Sequence, residues 1–196
     1  MVKKTSSYHH GNLKESILAV ALQILTEENE KALTFRRLAK ELNVSAMAPY
    51  KHFKNKEQIL LKLIENGFTR LKANLLAAST SENLTQKLTQ QGISYVEFAI
   101  AHAYQYQLMF SSHEGIVWSD EVQALSIETL GVMQETVSAL LSERDCQNQQ
   151  TAEVALMCWT LVHGITEMAL SKNFPDQFDY TQFTHNTISV FVNGLS

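Results

Sequence analysis

The sequence contains few of the residues that interrupt helices. Only 2 of its 196 residues are prolines and 7 are glycines, and runs that alternate β-branched with polar residues are missing. Loops depend on proline and glycine, and half-buried strands depend on that alternation, so the scarcity argues against a sheet-rich domain. The sequence therefore predicts an all-α fold, and a hydrophobic content of 45% is ample for a globular core.

Cysteine and long apolar runs are also scarce. Cys146 and Cys158 form neither a CxxC motif nor a Cys/His ligand set. No basic-then-apolar signal segment opens the chain, and the most apolar window, residues 154–170, contains a histidine, a glycine and a glutamate. We therefore expect two reduced thiols, no metal, no cofactor, a buried helix instead of a membrane span, and a cytoplasmic protein.

The common catalytic motifs are missing as well. The chain has no HExxH, GxSxG, Walker or dinucleotide-binding fingerprint. His102 and His113 have no evident nucleophile beside them. We therefore predict that the protein is not an enzyme and has no catalytic residues.

Charge is divided unevenly along the chain. Residues 1–72 carry 13 Lys/Arg against 7 Asp/Glu, a net charge of +6, whereas residues 73–196 carry 3 against 13, a net charge of −10. A basic segment attracts phosphates and an acidic one repels them. Contact with nucleic acid should therefore be confined to an N-terminal head.

Two short amphipathic segments between Leu33 and Lys56 predict a helix-turn-helix, because only a few residues separate them. In the first, Thr34 is placed to cap a helix whose apolar face includes Leu38 and Leu42. The second is expected to begin at a Ser45 cap, to turn Phe53 inward and to expose Lys51, His52 and Lys54. Pro49 lacks the N–H that would bond the cap carbonyl, so we predict a slightly irregular start to this helix but not its loss.

The run VSAMAPYKHFKNKEQIL resembles the DNA-binding signature of the TetR family of bacterial transcriptional regulators, and the match extends over about residues 10–70. Tyr50, His52 and Phe53 match its Tyr-x-His-Phe element, and Lys56 matches the lysine that starts the next helix. Pro49 departs from the leucine commonest there. The resemblance implies a dimeric regulator, most often a repressor that a small ligand releases from a palindromic operator.

The chain divides into four predicted segments. These are a flexible arm at 1–11, a three-helix helix-turn-helix head at 12–54, a connecting helix at 55–78 and a C-terminal ligand-binding and dimerisation domain at 79–196. Asn12 is expected to start the first helix, and Asn55 with Gln58 the connecting helix. Further helices are expected at about 84–103, 104–111, 118–143, 149–172 and 180–194, about nine in all.

The DNA-binding candidates are all in the head. Polar side chains are assigned mainly to phosphates and short apolar ones to the groove floor, where they favour thymine methyl groups. Arg36 and Arg37 have two readings, a DNA contact or a solvated charge, and so do Lys3 and Lys4 of the arm. The candidates are Thr34, Arg36, Ser45, Ala46, Met47, Ala48, Tyr50, Lys51, His52 and Lys56.

Segment 149–172 is apolar on nearly every face, so it needs a second covering surface. Together with the last helix it resembles the four-helix dimer interface of TetR-like proteins, and its Trp/His-Gly element resembles the WHG subgroup. The expected interface residues are Trp159, Val162, Gly164, Ile188 and Phe191. His163 has two readings, one in this interface and one in a ligand pocket.

The resemblance also implies a small-ligand cavity in the C-terminal domain. Its apolar lining with scattered His and Tyr favours a lipophilic or aromatic ligand. The alternative for each lining residue is plain core packing. The candidates are Tyr95, Phe98, His102, Met109, Phe110, Trp118, Met133 and His163.

Two functions remain in competition. The first is a homodimeric repressor released from its operator by a ligand. The second keeps the DNA-binding head but uses the acidic C-terminal domain to recruit a protein partner, without a small ligand. A filled interior would favour the second.

Overall fold

The structure, a computed structural model, describes residues 13–111, 116–145, 150–171, 175 and 177–195. The described residues form eight α-helices and one 3₁₀ helix and contain no strand, which confirms the predicted all-α class. The helices are α1 (Leu13–Glu27), α2 (Phe35–Glu41), the 3₁₀ helix (Pro49–Lys51), α3 (Lys56–Ala77), α4 (Leu84–Ala101), α5 (Ala103–Phe110), α6 (Asp120–Glu143), α7 (Thr151–Leu170) and α8 (Tyr180–Asn193). From α4 onward every boundary lies within two residues of its prediction.

Side-chain caps fix several helix starts. Thr34 Oγ1 accepts a hydrogen bond from Arg37 N at 3.2 Å, as predicted for the start of α2. At α3, Asn55 Oδ1 accepts from Gln58 N at 3.0 Å, while Gln58 Oε1 accepts from Lys54 N at 2.8 Å. This reciprocal pair confirms the predicted cap of the connecting helix.

The predicted second helix of the helix-turn-helix is not an α-helix. Residues 46–48 form turns that lead into the 3₁₀ helix, whose N-cap is Ala48 and not Ser45. The Ser45 carbonyl accepts from Ala48 N at 2.9 Å, three residues on, because Pro49 has no N–H to offer four residues on. The proline therefore disturbs more than the start of the segment.

The described residues divide into two compact units. The first contains residues 13–63 and Ile116, the second contains residues 64–111 and the described residues from Val117 onward, and α3 contributes to both. The core of the first unit is built from α1, α2, Phe53 and the start of α3. On α1, Leu18 is buried, whereas Leu13 and Val20 are only half-buried. The buried apolar residues of this unit are Ile17, Leu18, Ala21, Ile24, Leu25, Leu33, Phe35, Leu38, Ala39, Leu42, Phe53, Ile59, Leu60 and Leu63.

In the second unit α4 packs against α5, α6, α7 and α8. Its approach to α8 depends on Gly92, where a β-carbon would overlap Ile188 Cδ1 and would lie 3.3 Å from Val162 Cγ1. Glycine is required at this crossing because any side chain would meet packed atoms. A β-carbon at Gly164 would meet no atom of the described residues within 4 Å, so the close crossing of these helices lies at Gly92.

Several predictions lie outside the described residues. They are the arm with Lys3 and Lys4, the helix start at Asn12, His113 and Cys146. Cys158 is a free thiol in the core, and burial raises its pKa to about 12. None of the described helices combines the length and the apolarity needed to cross a membrane.

Candidate functional site

The first unit presents an exposed surface around the 3₁₀ helix. Met47 is 65% exposed and Tyr50 is 51% exposed, although both are large and apolar. Ser45, Ala46, Lys51 and His52 are exposed around them, and Ala48 is half-buried. Exposed apolar groups beside cations and hydroxyls suit a partner with both phosphates and apolar base edges.

This surface is held from beneath by the inward-facing residues of the same segment. Pro49 and Phe53 are buried, and the Phe35 ring of α2 stacks on Tyr50 with 4.2 Å between centroids and 21° between planes. Lys14 Nζ lies 5.8 Å from the centroid of the Phe53 ring. The stack holds one face of the Tyr50 ring, while about half of the side chain stays exposed.

The cations of the first unit differ in their partners. Arg37 Nε donates to Glu41 Oε1 at 2.7 Å and Arg37 Nη2 to Glu28 Oε1 at 3.2 Å, and its bond to Glu41 and the charge of Glu28 raise the pKa of the guanidinium. Arg37 therefore serves the internal structure of this unit, whereas its neighbour Arg36 is exposed. Lys56 Nζ lies 2.7 Å from Glu30 Oε1, a pair that spacing in the sequence does not predict.

The second unit contains a cluster of aromatic rings around a histidine. The His163 ring centroid lies 4.6 Å from that of Phe110, 5.2 Å from Trp159, 5.5 Å from Tyr95 and 5.9 Å from Tyr106. The Tyr106 hydroxyl is hydrogen-bonded to Nδ1 of His163, and the Tyr95 hydroxyl lies 3.3 Å from the imidazole nitrogens and 3.4 Å from the Tyr106 hydroxyl. Three polar groups thus meet inside an aromatic enclosure, which we call the His163 cluster.

The His163 cluster is uncharged near neutral pH. Burial lowers the pKa of His163 to about 4 and raises the pKa of Tyr106 to about 12. Burial, with Tyr106 as a smaller contribution, also raises the pKa of Tyr95. Removal from water disfavours the charged form of each group, so the cluster offers hydrogen bonds and ring faces instead of charge.

The predicted pocket residues are only partly brought together. Tyr95, Phe110 and His163 belong to the His163 cluster, and Trp118 packs edge-on against Phe68, which in turn contacts Phe110. Phe98 and His102 form a separate pair with 5.2 Å between centroids. Met109 packs against Gly67, and Met133 is buried.

Two members of this interior were missed as site residues. Tyr106 lies four residues before Phe110 on α5, a spacing that places both on one face, and Phe68 belongs to the apolar stripe of α3. Helical spacing signalled both residues as inward-facing. It did not signal that Tyr106 would meet a histidine 57 positions away.

Two comparisons with known sequences bear on this chain. The model of the "Bacterial regulatory proteins, tetR family" matches residues 17–63, and that of the "Tetracyclin repressor-like, C-terminal domain" matches residues 88–191, more than half of the chain. The chain belongs to the TetR family. The first match spans most of the predicted helix-turn-helix head and the start of the predicted connecting helix, and the second falls within residues 79–196.

Individual proteins are similar to this chain to different extents. The tetracycline repressor protein class C of Escherichia coli is 42% identical over 56 residues, which is 29% of this chain and 26% of that repressor. A protein of unknown function from Rhodococcus sp. RHA1 is 27% identical, with a TM-score of 0.86 over 97% of this chain and 98% of that one. AibR, solved in complex with isovaleryl coenzyme A and operator DNA, shares the fold at 14% identity, with a TM-score of 0.68 over 91% and 97%.

The residues predicted for a TetR-type dimer interface divide into buried and exposed sets. Val162 and Ile188 are completely buried and lie around Gly92, so within one chain they present no surface to a partner. Trp159 and Phe191 are half-buried, and Gly164 is exposed.

In this TetR-family chain, the exposed apolar face of α7 and α8 is formed by residues that were not predicted for the interface. Leu156 is 56% exposed and Val190 is 74% exposed, and Met157 and Phe183 are also exposed. A groove of about 580 Å³ lies beside them, lined by Gln150, Glu153, Val154, Met157, Val190, Phe191, Gly194 and Leu195. Helix α7 therefore does expose apolar residues that a second surface could cover, but these residues are not the ones predicted for the interface.

Proposed function

We propose that the protein is a homodimeric, sequence-specific transcriptional repressor of the cytoplasm that a small ligand releases from a palindromic operator. The observation that carries the proposal is the exposed surface around Met47 and Tyr50 in a TetR-family chain. A large apolar side chain exposed among cations needs a partner that covers both. Double-stranded DNA offers phosphates and thymine methyl groups within the same groove.

Each exposed group has an assigned role on the duplex. Thr34, Ser45, Tyr50, Lys51, His52 and Lys56 contact phosphates and set the register, while Ala46, Met47 and Ala48 meet the floor of the major groove. Arg36, which is exposed, contacts a base or a phosphate, whereas Arg37 stays with its two glutamates. Few of these contacts read hydrogen-bonding groups of bases, so direct discrimination is modest.

A dimer follows from the exposed face of α7 and α8. Leu156, Met157, Phe183 and Val190 together form a surface that a second copy would cover in a two-fold arrangement. Two heads related by that axis would reach half-sites roughly 34–36 Å apart in successive major grooves. The operator is therefore a palindrome. We also assign the C-terminal unit to the WHG subgroup, on Trp159, His163 and the exposed Gly164.

The ligand response is assigned to the His163 cluster. Its neutral hydrogen-bonding groups and ring faces suit an apolar or aromatic compound with one polar group. Helix α3 begins in the first unit and ends in the second, so a ligand that binds two positions of α3 unequally would alter DNA binding. The complex of AibR with isovaleryl coenzyme A and operator DNA supports such a response in this fold.

The alternative function, a DNA-bound adaptor that recruits a protein partner, has one observation in its favour. Tyr95, Met109 and Met133 have no exposed surface, so these three predicted pocket residues already serve as core. The adaptor and the ligand-released repressor share the same head. They differ in whether a small molecule alone changes DNA affinity.

The test of DNA binding uses Lys56→Ala. We expect roughly tenfold weaker binding to every duplex, whatever its sequence, and a salt slope smaller by about one, because a phosphate contact is lost. The measurement is fluorescence anisotropy over a salt series, with the region upstream of the protein's own gene and a random duplex as probes.

The matched control is Lys87→Ala, which removes the same charge from α4 in the second unit. It should leave both quantities unchanged. A loss confined to one sequence, or an equal loss in the control, would contradict the assignment of Lys56 to a phosphate.

A further inference from the structure

The carboxylate of Glu30 is paired with the ammonium group of Lys56, which the proposed function assigns to a DNA phosphate. Lys56 is the first residue of α3, and its Nζ lies 2.7 Å from Glu30 Oε1. The two residues are 26 positions apart, and both side chains are partly exposed. A lysine at a helix N-terminus is suited to a phosphate, because the free N–H groups there add to its positive charge. In this structure Glu30 takes the position of that anion.

The position of Glu30 is fixed by the turn that contains it. Asn29 Oδ1 accepts hydrogen bonds from Lys31 N at 2.9 Å and from Ala32 N at 3.2 Å. These bonds form a turn around Glu30 that holds its backbone between α1 and α2. The lysine is anchored as well, since Asn55 and Gln58 cap the helix that it begins. The pair therefore joins two ordered segments and is not a chance contact of two free side chains.

The pair is a poor source of folding stability. Exposed ion pairs contribute little, because the Coulomb gain in water is offset by the loss of side-chain entropy. Arg37 differs, because Glu41 and Glu28 hold it through two of its nitrogens. A single carboxylate at an exposed ammonium can be displaced by a phosphate, whereas the double contact of Arg37 resists displacement.

We infer that Glu30 is an internal competitor of DNA phosphate that lowers the affinity of the head for DNA of any sequence. The inference rests on the proposed function. To bind a phosphate, Lys56 must leave Glu30, and the carboxylate then lies close to the phosphate that replaced it. Both effects oppose binding, and neither depends on the bases.

Such a competitor does not change the preference of the protein for its operator over the rest of the genome. It reduces operator and random binding by the same factor, so the ratio of the two affinities is unchanged. Random sites greatly outnumber operators, however, and weaker contact with each of them shortens the time that the protein spends there. Glu30 thus tunes occupancy and exchange, while the groove-facing residues determine the sequence.

The test is Glu30→Gln, which keeps the shape of the side chain and removes its charge. At low salt we expect roughly threefold to tenfold tighter binding to a random duplex of roughly 30 base pairs, because one like charge near a phosphate is removed and Lys56 is released. The gain should be equal on the region upstream of the protein's own gene and should shrink as salt rises.

Two further variants separate competition at Lys56 from a general effect of charge. Glu27→Gln removes the same charge three residues earlier, from a carboxylate bonded to Gln23 Nε2 at 2.9 Å, and should change affinity much less. In a Lys56→Gln background, Glu30→Gln should lose most of its effect, because the competed ammonium is gone. The thermal midpoint of each variant checks that folding is intact.

The outcomes are distinct. If Glu30→Gln binds no more tightly than wild type, or gains equally in the Lys56→Gln background, the inference is overturned while the proposed function stands. If the wild-type protein does not bind DNA at all, the proposed function itself fails and takes the inference with it.

Discussion

His163 is a titratable side chain enclosed by four aromatic rings and bonded to the Tyr106 hydroxyl. Its pKa is lowered by burial to about 4, from an ordinary value of 6.5. The folded protein therefore keeps the ring neutral at pH values where the unfolded chain protonates it. Folding is linked to pH through this difference, and the sign follows from which state binds more protons.

At the residue scale, we predict that His163→Gln reduces the acid sensitivity of folding. Above pH 6.5 the ring is neutral in both states and contributes no pH dependence. Between 6.5 and about 4 the unfolded chain binds more protons, so stability falls as pH falls. Between pH 7 and about pH 5, the wild type should lose about 1 kcal/mol more than the variant, allowing for the solvent that reaches a half-buried ring.

Denaturant unfolding at the two pH values measures this difference. His185→Gln on α8 is the control, because it removes an exposed histidine that lies outside the His163 cluster. Equal acid sensitivity in the wild type and in His163→Gln would mean that the ring is not held neutral in the folded state.

At the element scale, the crossing of α4 with α8 and α7 is the most constrained contact of the second unit. Gly92 lies where a β-carbon would overlap Ile188 Cδ1. Ile188 and Val162 have no exposed surface, so neither has free space into which it could withdraw. The helices can approach this closely only because α4 lacks a side chain at that point.

We predict that Gly92→Ala lowers the free energy of unfolding by about 1 to 2 kcal/mol. The cost of overpacking exceeds the gain of up to about 1 kcal/mol that alanine brings to a helix interior. Chemical denaturation measured by circular dichroism is the appropriate assay.

Gly131→Ala on α6 is the matched control for Gly92→Ala. A β-carbon at Gly131 would meet no atom of the described residues within 4 Å, so this substitution should raise stability by about 0.5 to 1 kcal/mol. If both variants are stabilised, Ile188 has adapted and the crossing is looser than the structure indicates.

At the scale of the whole molecule, the proposed dimer depends on the exposed face of α7 and α8. Leu156 and Val190 are apolar and more than half exposed. Leaving such a face in water costs free energy that a two-fold partner would recover. The proposed pairing of two heads depends on this contact, because one head alone reads too few base pairs.

We predict that Leu156→Glu raises the dimer dissociation constant by roughly a hundredfold and weakens operator binding in parallel, because it introduces a charge into an apolar contact. Sedimentation equilibrium over a concentration series measures the first effect and anisotropy the second. Since Leu156 is exposed within the chain, the helical content of the variant should be unchanged.

Ile127→Glu on α6 is the matched control, with an apolar side chain that is 69% exposed outside the α7 and α8 face. It should remain dimeric. A dimeric Leu156→Glu variant, or a wild-type protein that stays monomeric at micromolar concentration, would be incompatible with pairing through this face.

Much of the fold could be predicted because helix type and length are local properties. The caps at Thr34 and Asn55 form as expected, since a cap requires only a side chain two or three residues from an N–H. The 3₁₀ helix was harder to predict. Only an irregular start was predicted at Pro49, and the absence of an α-helix there was not. Where the backbone passes from turns into helix depends on how Phe35 and Phe53 hold the segment.

The sequence by itself determined the all-α class, the bounds of the helices from α4 onward, and the basic character of the head, because periodicity, capping and charge act over a few residues. Only the tertiary structure decided that Val162 and Ile188 face inward while Leu156 and Val190 face out, that Tyr106 meets His163, and that Glu30 meets Lys56. Each of these depends on which element lies opposite. That is set by the packing of distant segments against one another, and spacing along one helix carries no information about it.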